Sequence, residues 1–136
     1  MSFVLDNSVA LAWCFVDEQT PSVMNLLDRV VATGAVAPLL WPLEALNGLL
    51  VAERRNRLGR DKRARLIGFL RDLPIMLDAH TAEQAWETTR RLAEQHRLSV
   101  YDAAYLEVAQ RRRLPLASLD QDLRHAAHDV GVEVLG

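Results

Sequence analysis

The sequence predicts an α/β fold, with a central, mainly parallel sheet of about five strands flanked by helices. Three observations carry that prediction. Apolar runs of three to five residues recur along the 136 residues, too short for helices and without alternating polarity. Between them lie longer stretches whose apolar residues fall three and four apart, the spacing of amphipathic helices. No internal repeat, low-complexity tract or linker breaks the alternation, so residues 1–136 read as one domain. Strands separated by helices pair in parallel through right-handed crossovers, which covers both faces of the sheet.

Taken in order, Phe3-Val4-Leu5 reads as a buried first strand, and Asp6 stands where it stops and a helix, Val9 to Phe15, begins. Asp17 to Pro21 is a turn, with Thr20 placed to cap a second helix that has Pro21 at its first position. Val23, Leu26, Leu27, Val30 and Val31 form its stripe, and Gly34 ends it. Val36 to Leu40 reads as the second strand, closed by Trp41-Pro42. A helix from Leu43 to Arg55 follows, with Leu43, Leu46, Leu49, Leu50 and Ala52 expected to face inward. Gly59 breaks the chain before a helix over about Arg60 to Leu70. Pro74 precedes a third strand, Ile75 to Leu77. A long helix, Thr81 to His96, is expected to gather Ala82, Ala85, Trp86, Thr89 and Leu92 on one face. Ser99 opens the next helix, which runs to Arg113. Pro115 to Leu119, Leu123 to His128 and Val132 to Leu135 complete the chain as strand, short helix and strand.

Hydrophobic residues make up 50% and charged residues 25%, an ordinary globular balance. No apolar run approaches the ~18 residues of a membrane span, and no basic segment leads into a signal-type core, so no membrane partner is expected. Cys14 is the one cysteine, set among Ala12, Trp13 and Phe15. It forms no internal disulfide, reads as a buried inert thiol, and fits a cytoplasmic protein. The net charge of −2 hides an uneven distribution. Arg54, Arg55, Arg57, Arg60, Lys62, Arg63 and Arg65 face Asp61 alone in one stretch of charge +6, leaving −8 on the remainder. Such a stretch is either a solvated helix face or a grip for phosphates.

Four acids fall at helix starts. Asp6 follows the first strand, Glu44 lies two residues beyond Pro42, Asp102 lies in the turn opened by Ser99, and Asp120 follows the fourth strand, with Asp122 two residues on. Singly, each reads well as a cap or as a first-turn acid favoured by the helix dipole. In a parallel sheet, however, these helix starts share one edge, where open α/β sheets bind ligands. Four converging carboxylates repel one another and raise their own pKa values unless a cation sits among them. A hard divalent ion, Mg²⁺ or Mn²⁺, suits such an all-oxygen set. With a basic arm nearby, that chemistry suggests phosphodiester hydrolysis. Ser8 and Ser118 can hold a water or a phosphate oxygen, and Asn47, one turn past Glu44, can reach the same face. Local backbone capping accounts for these three equally well. His125 and His128 lack the further ligands of a zinc set, and His80 and His96 lie near helix ends. No G-x-S-x-G, P-loop or G-x-G-x-x-G motif occurs.

Val4-Leu5-Asp6-Asn7-Ser8, Pro42-Leu43-Glu44-Ala45-Leu46-Asn47, Tyr101-Asp102-Ala103-Ala104-Tyr105-Leu106 and Leu116-Ala117-Ser118-Leu119-Asp120 resemble, in order and spacing, the PIN-domain ribonucleases. Within that family they look most like the VapC-type toxins of bacterial toxin–antitoxin pairs, over essentially the whole chain. The resemblance implies a PIN-like three-layer fold and a Mg²⁺- or Mn²⁺-dependent endoribonuclease. Asp6, Glu44, Asp102 and Asp120 match the family's acidic quartet, and Ser8, Asn47 and Ser118 its polar accessory positions. Ser118 stands where Thr is commoner, which keeps the hydroxyl, and Asp122 matches an auxiliary acid. The resemblance further implies a homodimer, an RNA substrate such as tRNA or rRNA, and inhibition by a VapB-type antitoxin that wraps the toxin. The basic segment from Arg54 to Arg65 would meet either the RNA or the antitoxin.

Two other readings are distinguishable. A haloacid-dehalogenase-like phosphatase needs a second Asp two residues after the first, where Ser8 stands, and no lysine lies in the later half of the chain. A receiver-like phosphoacceptor lacks the same lysine. A non-catalytic module would bind a cation, and RNA or a partner, without cutting. It would keep RNA binding in an Asp6→Asn variant, whereas a nuclease would lose metal-dependent cleavage.

Overall fold

The computed structural model describes residues 2–136. Strands β1 (Val4–Leu5), β2 (Ala35–Pro38), β3 (Ile75–Asp78), β4 (Leu116–Ala117) and β5 (Val134–Leu135) form one sheet in the order β3-β2-β1-β4-β5. Every pairing is parallel, with Val4 opposite both Val36 and Leu116. The chain therefore builds outward from β1 in one direction, then returns to the other side of β1 with β4. That reversal lies between β1 and β4, the crevice where open parallel sheets place their ligands.

Helices α1 (Asn7–Ala12), α2 (Pro21–Thr33), α3 (Trp41–Arg54), α4 (Arg60–Asp72), α5 (Thr81–Gln84), α6 (Arg90–His96), α7 (Val100–Arg112) and α8 (Gln121–Asp129) surround the sheet. This is the PIN-like α/β arrangement that the sequence resemblance implies. Phe3, Val4, Leu5, Leu106, Val108, Leu116 and Ala117 are wholly buried where β1 and β4 meet α7. Burial of each large side chain there contributes about 1.5–3 kcal/mol. Thr20 caps α2 by accepting from the Val23 amide, with Pro21 at its first position. Gly34 ends α2 at φ 78°, and an added Cβ would lie 2.9 Å from the Pro74 carbonyl oxygen. Among the described residues no helix is long and apolar enough to cross a membrane.

Three sequence expectations are corrected. The buried face of α3 is Trp41, Ala45, Leu49 and Ala52, while Leu43 is 73% and Leu46 39% exposed. The helix begins at Trp41, and a 3.6-residue period counted from that ring turns Leu43 and Leu46 outward. The second strand stops at Pro38, because Leu39 and Leu40 form a turn in which the Leu39 amide donates to Thr81 Oγ1. The helix expected over Thr81 to His96 contains a π-helical segment, Ala85–Thr89, between α5 and α6. The wider turn shifts the helical phase, so Thr89 and Leu92 are buried while Trp86 is 83% exposed.

Candidate active site

Asp6 occupies the N-cap position of α1, yet its side chain makes no cap hydrogen bond. Its Oδ2 instead accepts from Ser8 Oγ at 2.5 Å and from Ser118 Oγ at 2.9 Å. Both hydroxyls are held in turn by backbone. Ser8 Oγ accepts from the Leu119 amide at 2.9 Å, and Ser118 Oγ from the Asp120 amide at 3.1 Å. The ends of β1 and β4 are thus stitched together around one buried carboxylate. Arg124 secures the same loop by donating to the Ser118 carbonyl at 2.7 Å.

Asp120 is the N-cap of α8, and its Oδ1 accepts from the Leu123 amide at 3.0 Å. Asp102 lies in the first turn of α7, where Ser99 Oγ accepts from its amide at 3.0 Å. Glu44, in the first turn of α3, accepts from the Tyr105 hydroxyl through Oε1 at 2.7 Å. Both the capping and the converging readings therefore have a place: Asp120 does both, whereas the closest contacts of the Asp6 carboxylate are the Ser8 and Ser118 hydroxyls.

Electrostatics ties the four acids together. Burial and then the charges of Asp6, Asp120 and Glu44 push the Asp102 carboxyl up from 3.8 to about 6. Burial is also the main cause that raises Asp6, with Asp120 adding to it against hydrogen bonds from Ser8 and Ser118. Glu44 is raised by burial and by Asp6, against the Tyr105 hydrogen bond. Burial and the Glu44 charge drive the Tyr105 phenol far above its ordinary range, so it remains a donor. No basic side chain figures among the main influences on Asp6, Glu44 or Asp102.

A cleft of mutually repelling oxygen donors is chemically suited to a hard divalent cation. Asp6, Glu44, Asp102 and Asp120 are the residues that would hold it. As the side chains stand, no three His, Cys, Asp or Glu among the described residues close around one point.

The remaining candidates lie farther out. Asp122 is exposed on α8, beside a polar cleft shared with His96, Arg97, His125 and Asp129, and is not among the charges acting on Asp102. Asn47 is exposed on α3 one turn past Glu44. The basic segment forms the tip of the α3–α4 hairpin. Within it Arg57 pairs with Asp17 and Glu18 and lies 4.1 Å from the centroid of the Phe15 ring, and Arg63 pairs with Glu53. For Arg54, Arg55, Arg60, Lys62 and Arg65 no side-chain hydrogen bond or ion pair is present among the described residues. Cys14 is buried and burial raises its thiol to about 11, in keeping with an inert residue.

Two features were not anticipated from sequence. Tyr105 reaches Glu44 across 61 positions, and the available signal was a tyrosine one turn past Asp102 on an apolar helix. Asp78, fully buried at the end of β3, accepts from Arg111 at 2.6 and 3.1 Å and from Arg112 and Thr81. Arg111 also donates to buried Glu107, so this network fastens α7, the helix that carries Asp102 and Tyr105, to the sheet.

The family model described as PIN domain matches residues 3–129. Solved structures with the same fold include FitAcB from Neisseria gonorrhoeae, at 19% identity and a TM-score of 0.68, covering 100% of this chain and 97% of that one. The sarcin–ricin-loop-cleaving toxin VapC20 of Mycobacterium tuberculosis matches at 19% identity and a TM-score of 0.66, covering 98% and 99%. A toxin–antitoxin complex from Klebsiella pneumoniae matches at 15% identity and a TM-score of 0.64, covering 98% and 96%. No curated protein matches the chain.

Proposed function

This chain belongs to the PIN-domain family, and on that premise we propose that it is a metal-dependent endoribonuclease, the toxin of a toxin–antitoxin pair. The observation that carries the reading is the convergence of Asp6, Glu44, Asp102 and Asp120 on the crevice between β1 and β4, where three of them raise the pKa of the fourth. Such mutual repulsion is costly to a fold and becomes useful when a cation enters. In this reading the four carboxylates hold Mg²⁺ or Mn²⁺, and Asp122 is an auxiliary acid farther out. When bound, the cation supplies the Lewis acidity that activates water and steadies the leaving oxygen. Ser8 and Ser118 hold the Asp6 carboxylate through Oδ2. Asn47 offers an amide to a substrate phosphate oxygen.

RNA fits the substrate role, with the unpaired cations of the α3–α4 tip contacting its backbone or an acidic antitoxin. The names of the structural neighbours support this setting, since they include a sarcin–ricin-loop-cleaving toxin and a toxin–antitoxin complex. The working unit we assign is a cytoplasmic homodimer of one 136-residue domain held in check by a VapB-type antitoxin. The test uses purified, antitoxin-free protein on a panel of structured tRNAs and rRNA fragments, with Mn²⁺ or EDTA, beside Asp6→Asn. Cutting by wild type with Mn²⁺ and not with EDTA, lost in Asp6→Asn, is the expected result. RNA binding by the wild type without cutting would instead make the chain a binding module.

A further inference from the structure

We propose that Tyr105 is a positioning residue that presents the Glu44 carboxylate to the acidic cleft, an inference that rests on the metal-dependent reading above. Glu44 sits in the exposed first turn of α3, where its neighbours Pro42, Leu43, Leu46 and Asn47 are all exposed. Glu44 itself is half-buried, and with three rotatable bonds its carboxylate still has several rotamers to choose among. Its side-chain hydrogen bond among the described residues comes from Tyr105, whose ring is 0% exposed in the middle of α7. The donor is thus fixed by the core, and the half-buried acceptor takes its orientation from it. The hydroxyl donates to Oε1 at 2.7 Å, and the same carboxylate is coupled electrostatically to Asp6 and Asp102.

The placement on α7 gives the contact its meaning. Tyr105 lies three residues after Asp102, one helical turn away on the same face. One helix therefore supplies one carboxylate directly and sets a second through the phenol. Because Asp78 of β3 fastens the far end of α7 through Arg111 and Arg112, both settings refer to the same rigid frame. A phenylalanine would fill the same space in the core, so packing alone does not require the hydroxyl. Partners that orient a metal-binding carboxylate from behind typically change metal affinity by about ten- to a hundredfold when removed.

Mn²⁺ affinity by titration calorimetry and the thermal midpoint, measured on wild type, Tyr105→Phe, Glu44→Ala and the double variant, test the proposal. Tyr105→Phe is expected to weaken Mn²⁺ binding about ten- to a hundredfold, with its midpoint within a few degrees of wild type. In the Glu44→Ala background, adding Tyr105→Phe should change Mn²⁺ affinity less than about twofold, because the hydroxyl acts through that carboxylate. Unchanged affinity in Tyr105→Phe overturns the role, and so does equal weakening in the Glu44→Ala background. A collapsed midpoint in Tyr105→Phe also overturns it, by making the hydroxyl structural. A wild type that takes up no Mn²⁺ overturns the metal-dependent reading and this inference together. Tight binding by both wild type and Tyr105→Phe overturns this inference alone.

Discussion

Replacing Asp102 by asparagine should make the metal-free protein more stable while removing its activity. The folded-state pKa of Asp102 stands at about 6 against 3.8 for the free side chain, first because of burial and then because of Asp6, Asp120 and Glu44. The folded chain thus holds this proton more tightly than the unfolded chain does. Its contribution to stability is fully present below pH 3.8 and is lost as the pH rises through about 6. A shift of about two units at about 1.4 kcal/mol each, roughly halved because the half-exposed carboxyl is screened by solvent, makes ionised Asp102 a burden of about 1–2 kcal/mol at pH 7.5. At pH 4.5 the folded carboxyl is protonated and the burden falls to about 0.5 kcal/mol. Asparagine keeps the shape and the amide that donates to Ser99 Oγ, and never ionises. Urea unfolding in EDTA should therefore show Asp102→Asn more stable than wild type by about 1–2 kcal/mol at pH 7.5 and by about 0.5 at pH 4.5. A variant that is less stable at pH 7.5, or that gains equally at both pH values, would refute the repulsion on which the site rests.

Other perturbations probe the frame around the site. Burial alone would raise the Asp78 carboxyl, but hydrogen bonds from Arg111, Arg112 and Thr81 outweigh it and hold it at about 2. Its stabilisation is present above about pH 4 and lost as the pH falls toward 2. Asp78→Asn should cost about 3 kcal/mol at neutral pH in urea unfolding and flatten the acid limb of the stability profile. Gly34→Ala, at φ 78° and with a Cβ only 2.9 Å from the Pro74 oxygen, should cost about 1–3 kcal/mol by thermal unfolding. Arg54→Ala with Arg55→Ala should reduce the slope of log RNA affinity against log salt by about 1–2, whereas an unchanged slope would assign the hairpin tip to a protein partner. Arg57→Ala should lower stability instead, since that side chain is engaged by Phe15, Asp17 and Glu18.

The parts of the molecule that could be read in advance are those set by local pattern. Phe3-Val4-Leu5 has no polar alternation because both faces of β1 are covered, and it is wholly buried. Asp6, Asp102 and Asp120 stand at helix starts marked by Ser99 or by the end of an apolar run. The face of α3 was illegible because Trp41, Leu43, Leu46, Leu49 and Leu50 are apolar all round, and only the starting residue fixes the phase. The π-helical turn at Ala85–Thr89 has no sequence signature of its own. Asp78 and Tyr105 escaped notice for another reason. Each is explained by a partner 33 or 61 residues away, which only the assembled sheet brings near.

The most direct test of the acidic crevice is Mn²⁺ uptake followed by electron paramagnetic resonance, on wild type and Asp102→Asn, at pH 7.5 and pH 5. Wild type should take up Mn²⁺ at pH 7.5 and bind it about tenfold less tightly at pH 5, where the proton on Asp102 must first leave. Asp102→Asn should bind far more weakly at both. A wild type that takes up no Mn²⁺, or a variant that binds it equally well, would contradict the assignment of these four carboxylates to a cation.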